Sequence, residues 1–143
     1  MALDLVTIPS ANLWDRTDVP DTDAIAVDIP DGDLVDLESA ARRLAADGVH
    51  PVTTGPDDLP LGPLAALVEE VRTEVLHGRG IVLLRGFPVD RCTVDEMALM
   101  FWGVGLRLGR AVSQSVMGER LGHVVNMTDT DPHARASFGQ AQV

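Results

Sequence analysis

Apolar side chains recur at helical spacing in three stretches of the chain, at residues 34–47, 63–76 and 94–108. In the first stretch they lie three or four residues apart: Leu34, Leu37, Ala41 and Leu44. Asp33 can cap this helix at its N-terminus, and Gly48 is a typical residue for its end. The pattern therefore predicts an amphipathic helix with a signal at each end.

The second and third helical stretches carry equally local end signals. The second shows one apolar face: Leu64, Leu67, Val68, Val71 and Val75. His77 and Gly78 follow it and predict its end. Thr93 and Glu96 match a capping box, in which each side chain accepts a hydrogen bond from the other residue's backbone N–H. The third helix should therefore begin directly after Thr93.

The third helix is predicted to run from about Val94 to Leu108. Helical spacing predicts that it buries four residues: Met97, Phe101, Val104 and Leu108. Gly103 and Gly105 lower its intrinsic stability, which indicates either close packing or an early end.

Two segments have the pattern of strands. Residues 24–29 alternate, which places Ile25, Val27 and Ile29 on one face. Residues 81–84 form a continuous apolar run between glycines, the pattern of a strand that is buried on both faces.

The C-terminal part is less regular. Residues 111–117 and 121–127 predict short extended segments around a hairpin-like turn, and residues 128–143 form a polar tail.

Together the helices and strands predict an α+β fold with helices packed on a few strands. We expect one partial domain over residues 1–143, in which the central strand still needs paired neighbours and cover on both faces.

Charge is concentrated in the first 60 residues. The chain has 22 acidic and 11 basic side chains, all of the latter arginine, for a net charge of −11; residues 1–60 hold 13 of the acids and three arginines. Such a surface excludes binding to a nucleic-acid backbone and adsorption to anionic lipid. Residues 1–60 are therefore interpreted as a solvated acidic N-terminal flank, the alternative being a site for a cation or a basic partner.

The chain has few of the residues that most often serve as nucleophiles or metal ligands, with one cysteine and four histidines. Cys92 stands alone, which excludes an internal disulfide and a cysteine-based zinc site, and we expect it to be a small buried filler rather than a nucleophile. No histidine is followed two places later by a carboxylate, and no two are four residues apart: His50, His77, His123 and His133. We expect each to be a loop, cap or hydrogen-bonding residue rather than a metal ligand.

Targeting signals are equally scarce. The first ten residues lack the basic and apolar regions of a signal peptide, and the longest apolar run is too short to cross a bilayer. The expected protein is soluble and cytoplasmic.

A series of short motifs nevertheless resembles one enzyme family. They are GRGIVLLRGFP at 78–88, FWGVG at 101–105, LG at 108–109, VSQ at 112–114 and GERLGHV at 118–124. In this order they resemble the clavaminate synthase-like, TauD/TfdA group of dioxygenases, over a block of about residues 61–127. The resemblance implies the N-terminal part of a double-stranded β-helix (jelly-roll) enzyme with an incomplete barrel. It also implies Fe(II) and 2-oxoglutarate as cofactors, and an amino acid or related small molecule as substrate.

The same resemblance limits which site residues can be assigned. In the family the His-x-Asp/Glu pair, the distal histidine and the 2-oxoglutarate-binding arginine all lie downstream of the matched motifs, so no catalytic or metal-binding residue carries over. We therefore expect neither cofactor to bind this chain alone. Gln114 resembles a substrate-facing position of the amino-acid hydroxylases; the alternative is that it hydrogen-bonds strand backbone.

Three hypotheses follow. The leading one is the N-terminal portion of an Fe(II)/2-oxoglutarate-dependent oxygenase, from a truncated or split reading frame and inactive alone. The second is a non-catalytic binding or partner module derived from that fold. The third is that a separate chain completes the barrel.

Overall fold

Three helices and two short strands make up the regular structure of the computed structural model, which describes residues 13–15, 17–19, 21–30, 32–113 and 118–122. In chain order they are β1 (Ala26–Asp28), α1 (Val35–Ala46), α2 (Leu64–His77), β2 (Leu83–Arg85) and α3 (Val94–Leu108). Short 3-10 helices cover Thr22–Ile25 and Pro51–Thr53. The described residues up to Ala111 belong to one compact unit, which holds all of these elements, and those from Val112 onward belong to a second.

The hydrophobic core lies where α1 and α2 pack on α3. Its largest fully buried side chains come from all three helices and from the loop before α2: Leu37, Leu59, Leu64, Val68, Leu99 and Met100. Burying a side chain of this size contributes about 1.5–3 kcal/mol. The helices, with this loop, therefore provide most of the stabilisation in this unit.

Gly103 is the point of closest approach between α3 and its neighbours. A Cβ atom at this position would lie 2.9 Å from Leu37 Cδ1 and 3.1 Å from Leu59 Cβ. Both neighbours are fully buried and have no space to withdraw into. Of the two outcomes predicted for this glycine, close packing is therefore confirmed, and α3 continues to Leu108 rather than ending early.

The end of α1 follows the sequence prediction, but its start does not. Gly48 adopts a positive φ of 68°, and its N–H donates to the Ala45 carbonyl while the Val49 N–H donates to that of Leu44. These two bonds form a Schellman motif. The predicted cap at Asp33 is wrong: the N-cap residue is Leu34, and no side chain caps the helix.

The apolar face of α2 is buried in its first half only. Leu64, Val68 and Val71 are buried as predicted, and Leu67 is half-buried. Val75, predicted to lie on the same face, is exposed. The helix ends at Gly78 as expected, so its last turn extends beyond the core.

The capping box before α3 is confirmed, but of the four residues predicted to be buried only Val104 is buried. The Thr93 side chain accepts from the Glu96 N–H at 3.2 Å, and the Glu96 carboxylate accepts from the Thr93 N–H at 2.7 Å. Phe101 is 63% exposed, and Met97 and Leu108 are only half-buried. The residues that α3 buries are Leu99, Met100, Trp102, Gly103 and Val104. On a helix that is apolar all round, the narrow contact at Gly103 selects the buried face, and spacing alone does not reveal it.

The two strands pair in parallel, with Val27 opposite Leu84. The predicted first strand is shorter than expected, because its first residues belong to the 3-10 helix that ends at Ile25. Residues 81–84 are not buried on both faces as predicted: Leu83 is 37% exposed and the other three are half-buried. Burial of such a run needs cover on both faces of the sheet as well as paired neighbours, and within the described residues β2 has one strand neighbour.

The other sequence predictions fall largely outside the described residues. This applies to most of the extended segments 111–117 and 121–127 and to the whole tail 128–143. No helix in the described part of the chain is both long and apolar enough to span a bilayer.

Two glycines of α3 provide a matched test of this packing. Gly103→Ala should lower the free energy of unfolding by about 1–3 kcal/mol, because the added methyl group overpacks the contact with Leu37 and Leu59. Gly105→Ala should instead raise it by about 0.5–1 kcal/mol, because no atom lies within 4 Å of the new Cβ and alanine is the better helix former. Urea denaturation measures both. Stabilisation by Gly103→Ala would contradict the close approach described here.

The capping box predicts a second stability effect. Thr93→Ala should lower the free energy of unfolding by about 1 kcal/mol, since the Glu96 N–H loses its acceptor. Thr73→Ala is the matched control, because the exposed Thr73 hydroxyl only donates to the Glu69 carbonyl within α2. Equal losses in the two variants, measured by urea denaturation, would show that the cap has no special role.

Candidate functional site

Gln114, the predicted substrate-binding residue, lies outside the described residues, as do His123 and His133. Of the remaining histidines, His50 accepts a hydrogen bond from the Val52 N–H at 3.4 Å through Nδ1 and so caps a 3-10 helix. His77 is exposed at the end of α2. Neither is part of a metal-binding group: in the ranges that the structure describes, no three His, Cys, Asp or Glu residues are placed to hold an ion.

Cys92 is half-buried beside two carboxylates. Burial raises the pKa of its thiol, and the negative charges of Glu38 and Glu96 raise it further. A nucleophilic cysteine needs the opposite effect, because the thiolate is the reactive form. The environment is therefore that of the packing residue that the sequence predicted.

A pocket of about 410 Å³ lies between the strands and α2. Its strand side is formed by residues 24–27 and 81–82, and α2 contributes Glu70, Val71 and Glu74. Arg79 completes the lining. Two carboxylates, one guanidinium and an apolar strand wall suit a small molecule that carries both charge and hydrocarbon.

Arg79 connects the segments around this pocket. Its guanidinium donates to the Ala24 carbonyl at 2.7 Å, and its backbone N–H donates to Glu74 Oε1 at 3.0 Å. Its own carbonyl accepts from Trp14 Nε1 at 2.8 Å. The sequence analysis did not select Arg79 as a site residue. The only local signal was an arginine between Gly78 and Gly80, where a helix gives way to a strand.

A second charged cluster joins α1 to the start of α3. The Glu38 carboxylate accepts hydrogen bonds from Arg91 at 2.7 Å and from Arg42 at 2.8 Å, and Arg42 also lies 3.6 Å from Glu96. The Glu38 side chain is only 13% exposed. The hydrogen bond from Arg91 is the largest of the effects that lower the pKa of Glu38. Its role is structural, because this carboxylate is fully engaged by two cations.

The acidic N-terminal flank is therefore not merely solvated. Four arginines of the second part of the chain reach groups within residues 1–60: Arg79 to the Ala24 carbonyl, Arg85 to Asp23, Arg91 to Glu38 and Arg107 to the Pro56 carbonyl. These bonds, with the packing of α1 on α3, make the described part of the acidic segment part of the folded unit.

The Glu38 cluster predicts a pH-dependent contribution to stability. Because folding lowers the pKa of Glu38 from 4.5, its contribution is present above that value and is lost as the pH falls through the lowered pKa. Glu38→Gln should therefore lower the free energy of unfolding by about 1 kcal/mol at about pH 7 and by much less at about pH 3. Denaturation curves at both pH values measure the difference.

Glu69→Gln is the control for this prediction, because Glu69 pairs with Arg72 at 3.2 Å and both side chains are largely exposed. Its effect should stay within about 0.5 kcal/mol at either pH. A loss in Glu38→Gln that does not change with pH would show that the ion pairs are not its cause.

Comparison with known proteins identifies a similar enzyme. No protein-family model matches this sequence. Over 114 residues the chain is 29% identical to FR-33289 synthase of Streptomyces rubellomurinus (strain ATCC 31215). The aligned region covers 80% of this chain and 34% of the synthase, so the chain spans about a third of the length of the curated relative it matches. The described pocket and charged clusters therefore belong to a chain that is similar to one part of a synthase.

Proposed function

We propose that this chain forms the N-terminal portion of an Fe(II)/2-oxoglutarate-dependent oxygenase that hydroxylates an amino acid or a related small molecule. The observation that carries the proposal is the ordered series of motifs between residues 78 and 124, which resembles the TauD/TfdA group. The similarity to a third of FR-33289 synthase supports the coarser part, that the chain is a fragment related to an enzyme.

The described residues do not fit an iron site. His50 is used as a cap, His77 is exposed at a helix end, and no third ligand lies near either of them in the part of the chain that the structure describes. Fe(II) in enzymes of this group needs two histidines and a carboxylate with open coordination positions. In this proposal those ligands and the 2-oxoglutarate-binding arginine belong to polypeptide outside the chain.

The contribution of this chain would then be structural. Its three helices share one core around Gly103, and Arg79, which follows α2, bonds to the Ala24 carbonyl just before β1. A rigid support of this kind is what a precisely placed site requires, since a misplacement of about 1 Å can cost about 100-fold in rate. Gln114 retains its proposed role toward the substrate.

A non-catalytic binding module is the second candidate, and the pocket beside α2 favours it. At about 410 Å³ the pocket is of the size that holds small ligands, and it brings Glu70, Glu74 and Arg79 together with an apolar wall. The two candidates differ in what lies beyond the codon for Val143. A continuation that encodes His-x-Asp or His-x-Glu, in frame or after a frameshift, supports the oxygenase.

Metal and cosubstrate titrations test the proposal directly. The purified 143-residue chain should show no stoichiometric binding of Fe(II) in the presence of 2-oxoglutarate, measured by calorimetry under anaerobic conditions. The chain joined to its His-x-Asp-encoding continuation should bind one Fe(II) and consume 2-oxoglutarate. Replacing the histidine of that motif by alanine is the matched control and should abolish both.

Two results would contradict this assignment. Tight, stoichiometric iron binding by the 143-residue chain would show that the ligands lie within it. Absence of iron binding by the joined polypeptide, with folding verified by circular dichroism, would exclude the oxygenase and leave the binding module.

A further inference from the structure

The strand β2 combines the composition of a central strand with the position of an edge strand. Residues 81–84 are Ile, Val, Leu and Leu, the pattern of a strand covered on both sides. Yet Leu83 is 37% exposed, and within the described residues β1 is the one strand that pairs with β2.

One residue of β2, Leu84, directs its backbone N–H and C=O away from β1. The Arg85 carbonyl accepts from the Ile29 N–H at 2.9 Å, so the peptide groups of Arg85 face β1. Successive residues of a strand direct their N–H and C=O groups to opposite sides. The N–H and C=O of Leu84 therefore face away from β1, along the open edge.

This edge has little of the protection that natural edge strands carry. Such strands are often very short or carry a proline, a charged side chain or a bulge. β2 is short, but residues 81–84 contain neither a proline nor a charge, and the one charged residue of β2, Arg85 at its end, is paired with Asp23. An unprotected apolar edge in a stable protein is normally covered.

We propose that the open edge of β2 binds an extended, apolar strand from the polypeptide that corresponds to the two thirds of FR-33289 synthase outside the aligned region. This inference rests on the proposed function, because it assumes that the remainder belongs to the same enzyme. The length relationship supports this occupant, since 80% of this chain accounts for only 34% of the synthase. The incoming strand would bond to the Leu84 backbone and cover the exposed Leu83 side chain.

A second copy of this chain is a poorer occupant on electrostatic grounds. Each copy carries a net charge of −11, so pairing two copies brings two strongly negative surfaces together. The apolar strand proposed here brings no charge of its own to the edge.

Co-production of the two polypeptides tests the interface. The tagged 143-residue chain is produced in the same cells as the remaining two thirds of FR-33289 synthase, and the purified complex is examined by sedimentation velocity. The expected result is a one-to-one complex. In Leu84→Pro the outward N–H is absent, so co-purification should fall roughly tenfold or more. Phe101→Asp is the control, because it places a charge on an exposed apolar site of α3 rather than on β2, and it should leave the complex unchanged.

Hydrogen exchange provides a readout that does not depend on the proline variant. In the isolated chain the Leu84 amide should exchange rapidly, and the complex should slow it at least roughly tenfold. Leu83→Asp, which keeps the backbone intact, should also weaken the complex.

Four results would overturn the proposal. Two concern the complex: no complex forms with the unmodified chain, or Leu84→Pro and Phe101→Asp reduce co-purification equally. The other two concern the isolated chain: its Leu84 amide is already protected from hydrogen exchange, or it forms a dimer that Leu84→Pro disrupts. A complex that forms through β2 but neither binds Fe(II) nor consumes 2-oxoglutarate would contradict the proposed function and leave this interface intact.

Discussion

The contact at Gly103 determines how the rest of this unit can be arranged. Because position 103 has no side chain, α3 can approach Leu37 of α1 and Leu59 of the following loop to within van der Waals distance. That approach selects which face of an almost wholly apolar helix is buried. It also brings the start of α3 close enough to α1 for Arg91 to reach Glu38. The core and the Glu38 cluster thus both depend on the absence of a side chain at position 103.

The unequal distribution of charge has a structural counterpart. The acidic first part of the chain supplies acceptors, both carboxylates and backbone carbonyls, and the nearly neutral second part supplies the arginines that reach them. Most of these pairs are exposed, and each contributes little by itself. Together they orient segments that are more than fifty residues apart in sequence. The net charge alone would predict only repulsion among the acidic side chains, and would not reveal these pairs.

Most local signals were predicted well from the sequence, the exception being Asp33, which does not cap α1. Properties that depend on neighbours were not predicted well. The capping box at Thr93 and the glycine ends of α1 and α2 involve residues close together in the chain, so their chemistry is visible in the sequence. The exposure of Phe101 depends on where α1 packs. The incomplete burial of residues 81–84 depends on whether other strands are present. The pocket around Arg79 needs three segments brought together by folding, and no spacing in the sequence indicates it.

The parallel pairing of β1 with β2 also bears on the order in which the chain folds. Both α1 and α2 lie in the connection between these strands, so the ladder can close only after a long loop has been ordered. The three residue pairs of the ladder contribute little free energy to offset the entropy lost on closing that loop. The helices can form their core without the ladder, and the strands can pair only once the helices have shortened the distance between them. In this chain the two strands would therefore pair late in folding, after the helices have packed together.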